Sequence, residues 1–464
     1  MITLHDVLTG TGGRLIGTLD LNVLLTNVVH DSRRVEHGDL FVALRGERLD
    51  GHDFISNAVA NGAAAALVSH AWLAHVQRAP LPVIAVPDTL RALQELATYW
   101  RGLFDVDVVG ITGSIGKSST KEVVAAVLGA RFEVVKSIGS YNNEIGLPLT
   151  VLRINPDTDV AVLEMGGAYA FGEIEQLVDI ARPRIGIVTN VTHSHLARMG
   201  SLEAIAQTKT ELVAGLPEEG VAILNNDDPL VRVMAAHTKA RVVTYGLESG
   251  ADLRALDVVS LGTEGISFTL ARGARSDAVQ VPLMGRHSVY SALIGFAVGF
   301  ELGMAVPDVL RGFAAPGVQL RLVLTPAING ATILDDHYNA NPKSSFAALA
   351  LLADLDATRH IAVFGDMLEL GEVEEIGHRT VGQRAASIAD ALYTVGPRAW
   401  MIGDEARTVR PELPTFHFDD KEALTAALRE DLREGDLVLV KGSRGVGMET
   451  VIAELRPPAG RNGA

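Results

Sequence analysis

Residues 110–122 read GITGSIGKSSTKE and carry the side chains and glycines that hold phosphate. Gly113 and Gly116 let the backbone close round phosphate oxygens, and the amides that open a following helix, from Lys117 through Ser119, point at the anion. Lys117 can reach the outer phosphates, and the Ser118 hydroxyl can ligate magnesium. The common GxxxxGK[ST] spacing needs glycine at 111, where this chain has Ile111, so the fit is to the shorter TGxxGK[ST]. A carboxylate, Glu164 in VAVLEMGG, and the groups Asn190 and His195 in IVTNVTHSH follow two further apolar runs. A carboxylate and an imidazole beside a nucleotide suit Mg²⁺, a hard ion often held by one or two protein groups plus phosphates. Taken singly, Glu164 also reads as a helix cap and His195 as a loop residue.

Weaker candidates follow. AIAQTKTEL places Lys209 and Glu211 on a helix, and a lone helical lysine ordinarily faces solvent. ILDDHYNANPKSS ends an apolar run in Asp335 and Asp336 and opens a helix through Asn339 and Asn341; AVFGDMLELG repeats the form with Asp366. VKGSRGVGMETV puts Lys441, Ser443 and Arg444 after the last apolar run, a cationic pair able to grip an anionic substrate, although a glycine-containing helix start looks much the same.

These groups need elements that bring them together. DVDVVGI, VAVLE, RIGIVTN, VAILN and RVVTYG are continuous apolar runs separated by helical patterns, which indicates a parallel sheet covered on both faces. Ligands bind beyond the carboxyl ends of such strands, so the phosphate loop, Glu164, Asn190 and His195 are expected along one edge. TILDD, IAVFGD, DALYTVG and DLVLVKG repeat the alternation after Ala314, and DLFVAL, AAALVS and PVIAVP precede the helical stretch TLRALQELATYWRGLF. The expected architecture is α/β in three domains. A small N-terminal α/β domain spans 1–100, a central parallel-sheet ATPase-like domain 101–314 and a C-terminal Rossmann-like α/β domain 315–464.

Composition narrows the function. With 464 residues, net charge -16 and 21% charged residues, the chain reads as a globular protein without the basic balance of a nucleic-acid binder. It has no cysteine, which removes disulfides, thiolate nucleophiles and cysteine-ligated zinc. SALIGFAVGF, broken off by Glu301, is too short to span a bilayer, and MITLHDVLTGTGG has no signal-peptide pattern. A cytoplasmic location without membrane insertion is expected, and the tail RPPAGRNGA reads as disordered.

Together the strings resemble the Mur ligase family over nearly the whole chain. TGSIGKSSTKE is similar to its ATP loop, LEMG and TNVTHSHLARMGS to its magnesium-binding segments, and AIAQTKTEL to the segment whose lysine is carbamylated. DSRRVEHGDLFVALRGERLDGHDF resembles its UDP-binding domain, and SYNNEIGLPLTVL a segment that contacts the UDP-sugar peptide. The resemblance implies ATP contacts from Gly113, Ser114, Gly116, Lys117, Ser118, Ser119, His287, Arg321 and Asp336. It implies substrate contacts from Ser32, Arg33, Asn142, Asn143, Asn339 and Asn341. It assigns two Mg²⁺ ions to Ser118, Glu164, His195 and a carbamylated Lys209, with Lys117, Lys209 and His195 catalytic.

Within the family, DDHYNANPKS and FGDMLELGEVEEIGHRTVG resemble the branch that adds D-alanyl-D-alanine to UDP-N-acetylmuramoyl-tripeptide in peptidoglycan precursor synthesis. That implies an ATP-dependent amide ligase working through an acyl phosphate, with domain closure, as a monomer. The alternatives are a Mur-type ligase with another acceptor, or a non-catalytic relative that binds UDP-peptide. The family's GxHNxxN appears as GRHSVYS, with Ser288 and Ser291 at the asparagine positions. Its GR pair appears as Leu320-Arg321, and the glutamate of its NxGxAHLE loop as Ala197.

Overall fold

The computed structural model describes residues 1–167, 170–193, 196–319 and 321–457. His195 and Leu320, the side chain of Ala197 and most of the tail RPPAGRNGA lie outside the described residues.

Among the described residues the strands form three large sheets and a small two-stranded one. The N-terminal sheet holds β1 (Arg14–Ile16), β2 (Val28–Val29), β3 (Leu40–Val42), β4 (Ala65–Ser69) and β5 (Val83–Val86). Their order is β1-β5-β4-β3-β2, parallel except for β1 against β5. The helix Thr89–Arg101 follows, capped by the Asp88 carboxylate, which accepts from the Leu90 and Arg91 amides. Its buried positions 89, 92, 93, 96, 97 and 100 recur at helical spacing and form one stripe. The Trp100 indole donates to the Ile154 carbonyl at 2.8 Å and the Arg101 guanidinium to that of Ala181 at 3.0 Å. One core cluster includes Ile84 and Leu96 with Val108 and Leu163, so the N-terminal and central units share packed interior.

The central sheet comprises β6 (Asp107–Thr112), β7 (Val134–Lys136), β8 (Val160–Glu164), β9 (Ile185–Val188), β10 (Val221–Asn225), β11 (Arg241–Gly246), β12 (Leu253–Ser260), β13 (Ile266–Arg272) and β14 (Arg275–Val281). The order is β14-β13-β12-β11-β10-β9-β6-β8-β7. The five apolar runs read from the sequence are β6, β8, β9, β10 and β11, all parallel. The sheet then continues into an antiparallel ribbon, β12 to β14, whose burial alternates along the chain. This extension is absent from the sequence reading, because half-buried strands lack the continuous apolar run of a covered parallel strand. Four helices matter to the site: α1 (Lys117–Gly129), α2 (Glu173–Ala181), α3 (Leu202–Ala214) and α4 (Val289–Glu301).

The C-terminal sheet has β15 (Val323–Pro326), β16 (Thr332–Asp336), β17 (Arg359–Gly365), β18 (Ala391–Val395), β19 (Thr415–Phe418) and β20 (Asp436–Lys441), ordered β15-β16-β20-β17-β18-β19. Only β15 runs antiparallel. Helix α5 (Pro342–Asp354) follows β16. Leu334, Leu349, Phe364 and Leu439 sit on one face of this sheet, and Ile333, Val363, Leu428 and Val440 on the other. Ion pairs Arg198–Glu369, at 2.7 Å, and Arg286–Asp354, at 4.0 Å, cross from the central unit to the C-terminal one. No described helix is long and apolar enough to cross a membrane.

Candidate active site

The phosphate loop leaves the carboxyl end of β6 and is shaped by the chain that leaves β9. Ser114 N donates to the Asn190 carbonyl at 2.9 Å and Ile115 N to Asn190 Oδ1 at 3.0 Å. Asn190 Nδ2 and Thr189 Oγ1 both donate to the Ile115 carbonyl, at 2.9 and 2.7 Å. A Cβ on Gly113, at φ +141°, would meet Thr189 Oγ1 at 1.9 Å, so the loop accepts no side chain there. Gly116, at φ +83°, opens α1 without a side-chain cap. The amides of the first turn of α1 are thus directed at the anion site, where the helix dipole also favours negative charge.

Lys117 folds back over the loop and donates from Nζ to the Gly113 carbonyl at 2.6 Å and to that of Ser114 at 3.3 Å. Burial pushes its pKa down while the Glu164 carboxylate pulls the other way. Glu164 ends β8 and is 1% exposed. Its Oε2 accepts from Ser118 Oγ and its Oε1 from Asn142 Nδ2, both at 2.8 Å. Asn142, expected at the sugar peptide, therefore also orients the carboxylate. Asn143 accepts from the Gly146 amide at 2.9 Å and organises the turn beneath it. Lys121, absent from the sequence reading, is fully buried and donates to the Ser137 and Gly139 carbonyls, both at 2.8 Å, fixing the segment that carries Asn142.

Lys209 is 3% exposed, not a solvated surface residue. Its Nζ donates to the Gly167 carbonyl at 3.2 Å. Burial, with the Lys117 charge adding to it, lowers its pKa from 10.5 to about 7, against the opposing pull of Glu211 and Glu173. The Glu211 carboxylate faces away and receives the amides of Gly172, Ile174 and Glu175 at 2.8, 3.1 and 3.0 Å, capping α2. The unfolded chain holds the lysine proton through the interval from about 7 to 10.5 while the folded chain does not, so stability from this group rises with pH across that interval. Below pH 7 the folded protein carries the full burden of the buried charge, at most about 5 kcal/mol. Lys209→Met should accordingly melt higher than the parent in CO₂-free buffer at pH 6.5, and the gap should close toward pH 10. An equal or lower melting temperature at pH 6.5 would contradict this.

The C-terminal sheet presents its own strand ends to the same space. Asp336 and Lys441 are buried register partners on β16 and β20 and form an ion pair. Lys441 Nζ also donates to the Asn339 carbonyl at 2.8 Å. That corrects the reading of Lys441 and Arg444 as a cationic pair: the lysine charge is already matched inside the protein. Asn341 Oδ1 caps α5 through the Ser344 amide at 2.9 Å, and Asn339 Oδ1 accepts from Ala340 N at 2.9 Å. Arg321 lies over the Tyr338 ring at 3.8 Å. Asp366 is a buried positioning group, taking the Arg398 and Ala399 amides at 2.9 and 2.8 Å. In the same motif, His378 Nε2 accepts from Met367 N at 3.0 Å, so FGDMLELG…GHRTVG shapes the loop that carries Leu368 and Glu369 into the cleft.

These ends line a single cleft of about 1760 Å³ between the units. It brings together Ser114, Gly116, Lys117, Ser118, Ser119, Glu164, Lys209, Asn142, Asn143, His287, Arg321, Asp336, Asn339 and Asn341. Gly113 sits just behind its wall, bonded to Lys117. Ser32 and Arg33 do not line it. Ser32 is buried, with its carbonyl accepting from Asn61 Nδ2, and Arg33 is exposed and pairs with Asp31; His30 and Glu47 represent that unit in the cleft instead. The sequence reading also missed Asn225, Asp227 and Tyr290, at the end of the cleft where β10 and α4 meet. Tyr290 donates to Asp227 at 2.9 Å, and Asp227 takes the Leu247 and Glu248 amides. The polar NNDD string, which begins at the last residue of the strand VAILN, was the available signal for the first two.

A glycine loop feeding a helix from a parallel strand, with a buried carboxylate at the next strand end, defines a nucleotide-binding α/β protein of the phosphate-loop class. Family models match in order along the chain: the Mur ligase family catalytic domain at residues 24–101, the Mur ligase middle domain at 111–299 and the Mur ligase glutamate ligase domain at 320–444. The chain belongs to the Mur ligase family. It is 37% identical over 459 residues to UDP-N-acetylmuramoyl-tripeptide–D-alanyl-D-alanine ligase of Bacillus subtilis, covering 98% of each chain. Among solved structures it is similar to MurF from Acinetobacter baumannii, with TM-score 0.84, 28% identity and 98% of each chain covered. It is also similar to MurF ligase from Thermotoga maritima in complex with ADP, with TM-score 0.78 and 29% identity over 94% of this chain and 98% of that one.

Proposed function

We propose that this chain uses ATP to join D-alanyl-D-alanine to UDP-N-acetylmuramoyl-tripeptide in peptidoglycan precursor synthesis. It is an ATP-dependent amide-bond-forming ligase. The observation that carries the reading is the meeting, in one cleft, of the Lys117 loop, the Glu164 carboxylate and buried Lys209 with strand ends of the C-terminal sheet. Action as a monomer is part of this reading, and a cytoplasmic location suits a nucleotide-linked substrate. The working units are 1–100, 101–314 and 315–464.

A carboxylate oxygen of the tripeptide attacks the γ-phosphorus of ATP, ADP leaves, and an acyl phosphate forms. The dipeptide amine then attacks the acyl carbon, the tetrahedral adduct expels phosphate, and the nitrogen loses a proton. Negative charge builds on the transferring phosphoryl group, and Lys117 with the loop amides stabilises it. The buried Glu164 carboxylate and Ser118 hydroxyl are oxygen donors of the kind Mg²⁺ takes, so these residues would hold it. Bound there, Mg²⁺ would neutralise phosphate charge. His195 is assigned to the same role by resemblance. Neutral Lys209 can add CO₂, forming an N–C bond and releasing a proton, which converts an uncharged amine into an anionic ligand. Closure of the C-terminal unit would bring Arg321 and its neighbours onto the reacting groups.

The test is ADP release and product mass with ATP, UDP-N-acetylmuramoyl-tripeptide and the dipeptide, each omitted in turn. The expected result is ADP release that needs all three, with product heavier than the tripeptide by one dipeptide less water. UDP-peptide binding without turnover would favour the non-catalytic alternative. Glu164, Lys117 and Lys209 line the same cleft, which argues for turnover.

Base selection should be broader than in relatives with GxHNxxN. Ser288 Oγ donates to the Met284 carbonyl at 2.7 Å, and Ser291 Oγ lies 3.2 Å from Thr120 Oγ1, so both hydroxyls already have partners in the protein. Each missing amide contact should narrow the ATP-over-GTP ratio by about tenfold. Steady-state kinetics with both nucleotides, beside a GxHNxxN relative, checks this; equal ratios in the two proteins would contradict it.

A further inference from the structure

Tyr338 stands between two arginines of different situation. Arg321, on one side of its ring at 3.8 Å, is half-buried, and the Asp336 and Glu164 carboxylates act on its charge, so it belongs to the phosphate end of the cleft. Arg444, whose guanidinium is 5.5 Å from the same ring and reaches the Tyr338 hydroxyl at 3.5 Å, is exposed. No carboxylate among the described residues forms an ion pair with Arg444, and the neighbouring Lys441 is bound to Asp336.

We infer that Arg444, steadied by Tyr338, is the specificity residue that grips the C-terminal carboxylate of the incoming dipeptide. This rests on the reaction proposed above. The acceptor is a zwitterion whose amine must approach the acyl carbon near Lys117 and Glu164. An extended dipeptide places its carboxylate about 7 Å farther along, outward from the phosphate end. A guanidinium presents paired N–H donors that match a carboxylate, and the contact with the Tyr338 ring and hydroxyl steadies it. Arg321 is committed by position to the nucleotide side and Lys441 by its ion pair; of the exposed cations Lys343 and Arg444 that line this part of the cleft, only Arg444 offers the paired donors that a carboxylate matches. Ser443 fixes the base of its loop, accepting from the Leu368 amide at 2.8 Å.

The experiment compares D-alanyl-D-alanine with D-alanyl-D-alaninamide, which lacks the carboxylate, in the parent, Arg444→Gln and Arg444→Lys. The parent should show a KM for the acid about 10- to 100-fold below that for the amide. Arg444→Gln should raise the KM of the acid to that of the amide, and Arg444→Lys should fall between, with the KM values for ATP and the UDP-tripeptide unchanged in all three. A parent that uses acid and amide alike, or an Arg444→Gln variant that keeps the preference for the acid, overturns the assignment and leaves the proposed reaction standing. A parent that ligates neither dipeptide overturns the reaction and the assignment together. Raised KM values for ATP or tripeptide in Arg444→Gln would place the residue elsewhere in the cleft and also overturn it.

Discussion

Lys117→Ala should lower turnover by about 10²-fold or more while the protein stays folded. Removing one donor aimed at developing charge costs on that scale in enzymes that work by electrostatic stabilisation. Here the ammonium sits over the loop on the Gly113 and Ser114 carbonyls, beside the Glu164 carboxylate, half-buried in the cleft wall where charge interactions are stronger than in water. Its absence removes a half-buried cation together with two hydrogen bonds to loop carbonyls, so the melting temperature should move little. Rapid-quench measurement of ADP formation separates the chemical step from product release. A folded variant with near-parental ADP formation would remove Lys117 from the mechanism. Lys117→Arg should not restore the rate, because a planar guanidinium does not fit a site shaped for a point charge.

Lys209→Ala should abolish most activity, and a small carboxylate should restore part of it. Lys209 lies within the electrostatic reach of Lys117, close to the Gly167 carbonyl, and is almost closed to solvent. A carbamate there would place two oxygens where a plain lysine offers none. Formate or acetate can occupy the space left by alanine and supply those oxygens. Assays of Lys209→Ala over a range of formate concentrations, with chloride as the ionic control, check this. Full activity without additive would make Lys209 structural only, and equal responses to formate and chloride would contradict the carboxylate role. Glu211 is a less neutral comparison than its place on α3 suggests. Its carboxylate caps α2, so Glu211→Ala should lower stability by about 1 kcal/mol and show no formate rescue.

The two lysines show what a sequence displays and what it hides. Lys117 is legible because its partners are local: the glycines, the serines and the helix start lie within a few residues. Lys209 looked like a surface lysine because only its own type was weighed. Yet Ile205, Thr208, Lys209 and Leu212 fall at the i, i+3, i+4, i+7 positions of the buried stripe of α3, so the periodicity did mark it as inward-facing. The parallel strands were legible as continuous apolar runs, whereas the edge strands β7, β15 and β19 are short and half-exposed and gave no such run. Partners distant in sequence were the least legible. Lys441 was read as free for a substrate, and only the pairing of β16 with β20 brings Asp336 to it. Ser32 and Arg33, carried over by resemblance, fall outside the cleft, and His30 takes a place in it.

The acyl phosphate is tested most directly by oxygen transfer. UDP-N-acetylmuramoyl-tripeptide labelled with ¹⁸O at both oxygens of its terminal carboxylate is turned over with ATP and D-alanyl-D-alanine, and the released phosphate is examined by mass spectrometry. The expected result is one ¹⁸O in each phosphate released and one retained in the new amide carbonyl. Phosphate free of ¹⁸O during full turnover would contradict a phosphorylated carboxylate, and with it the mechanism assigned to this cleft.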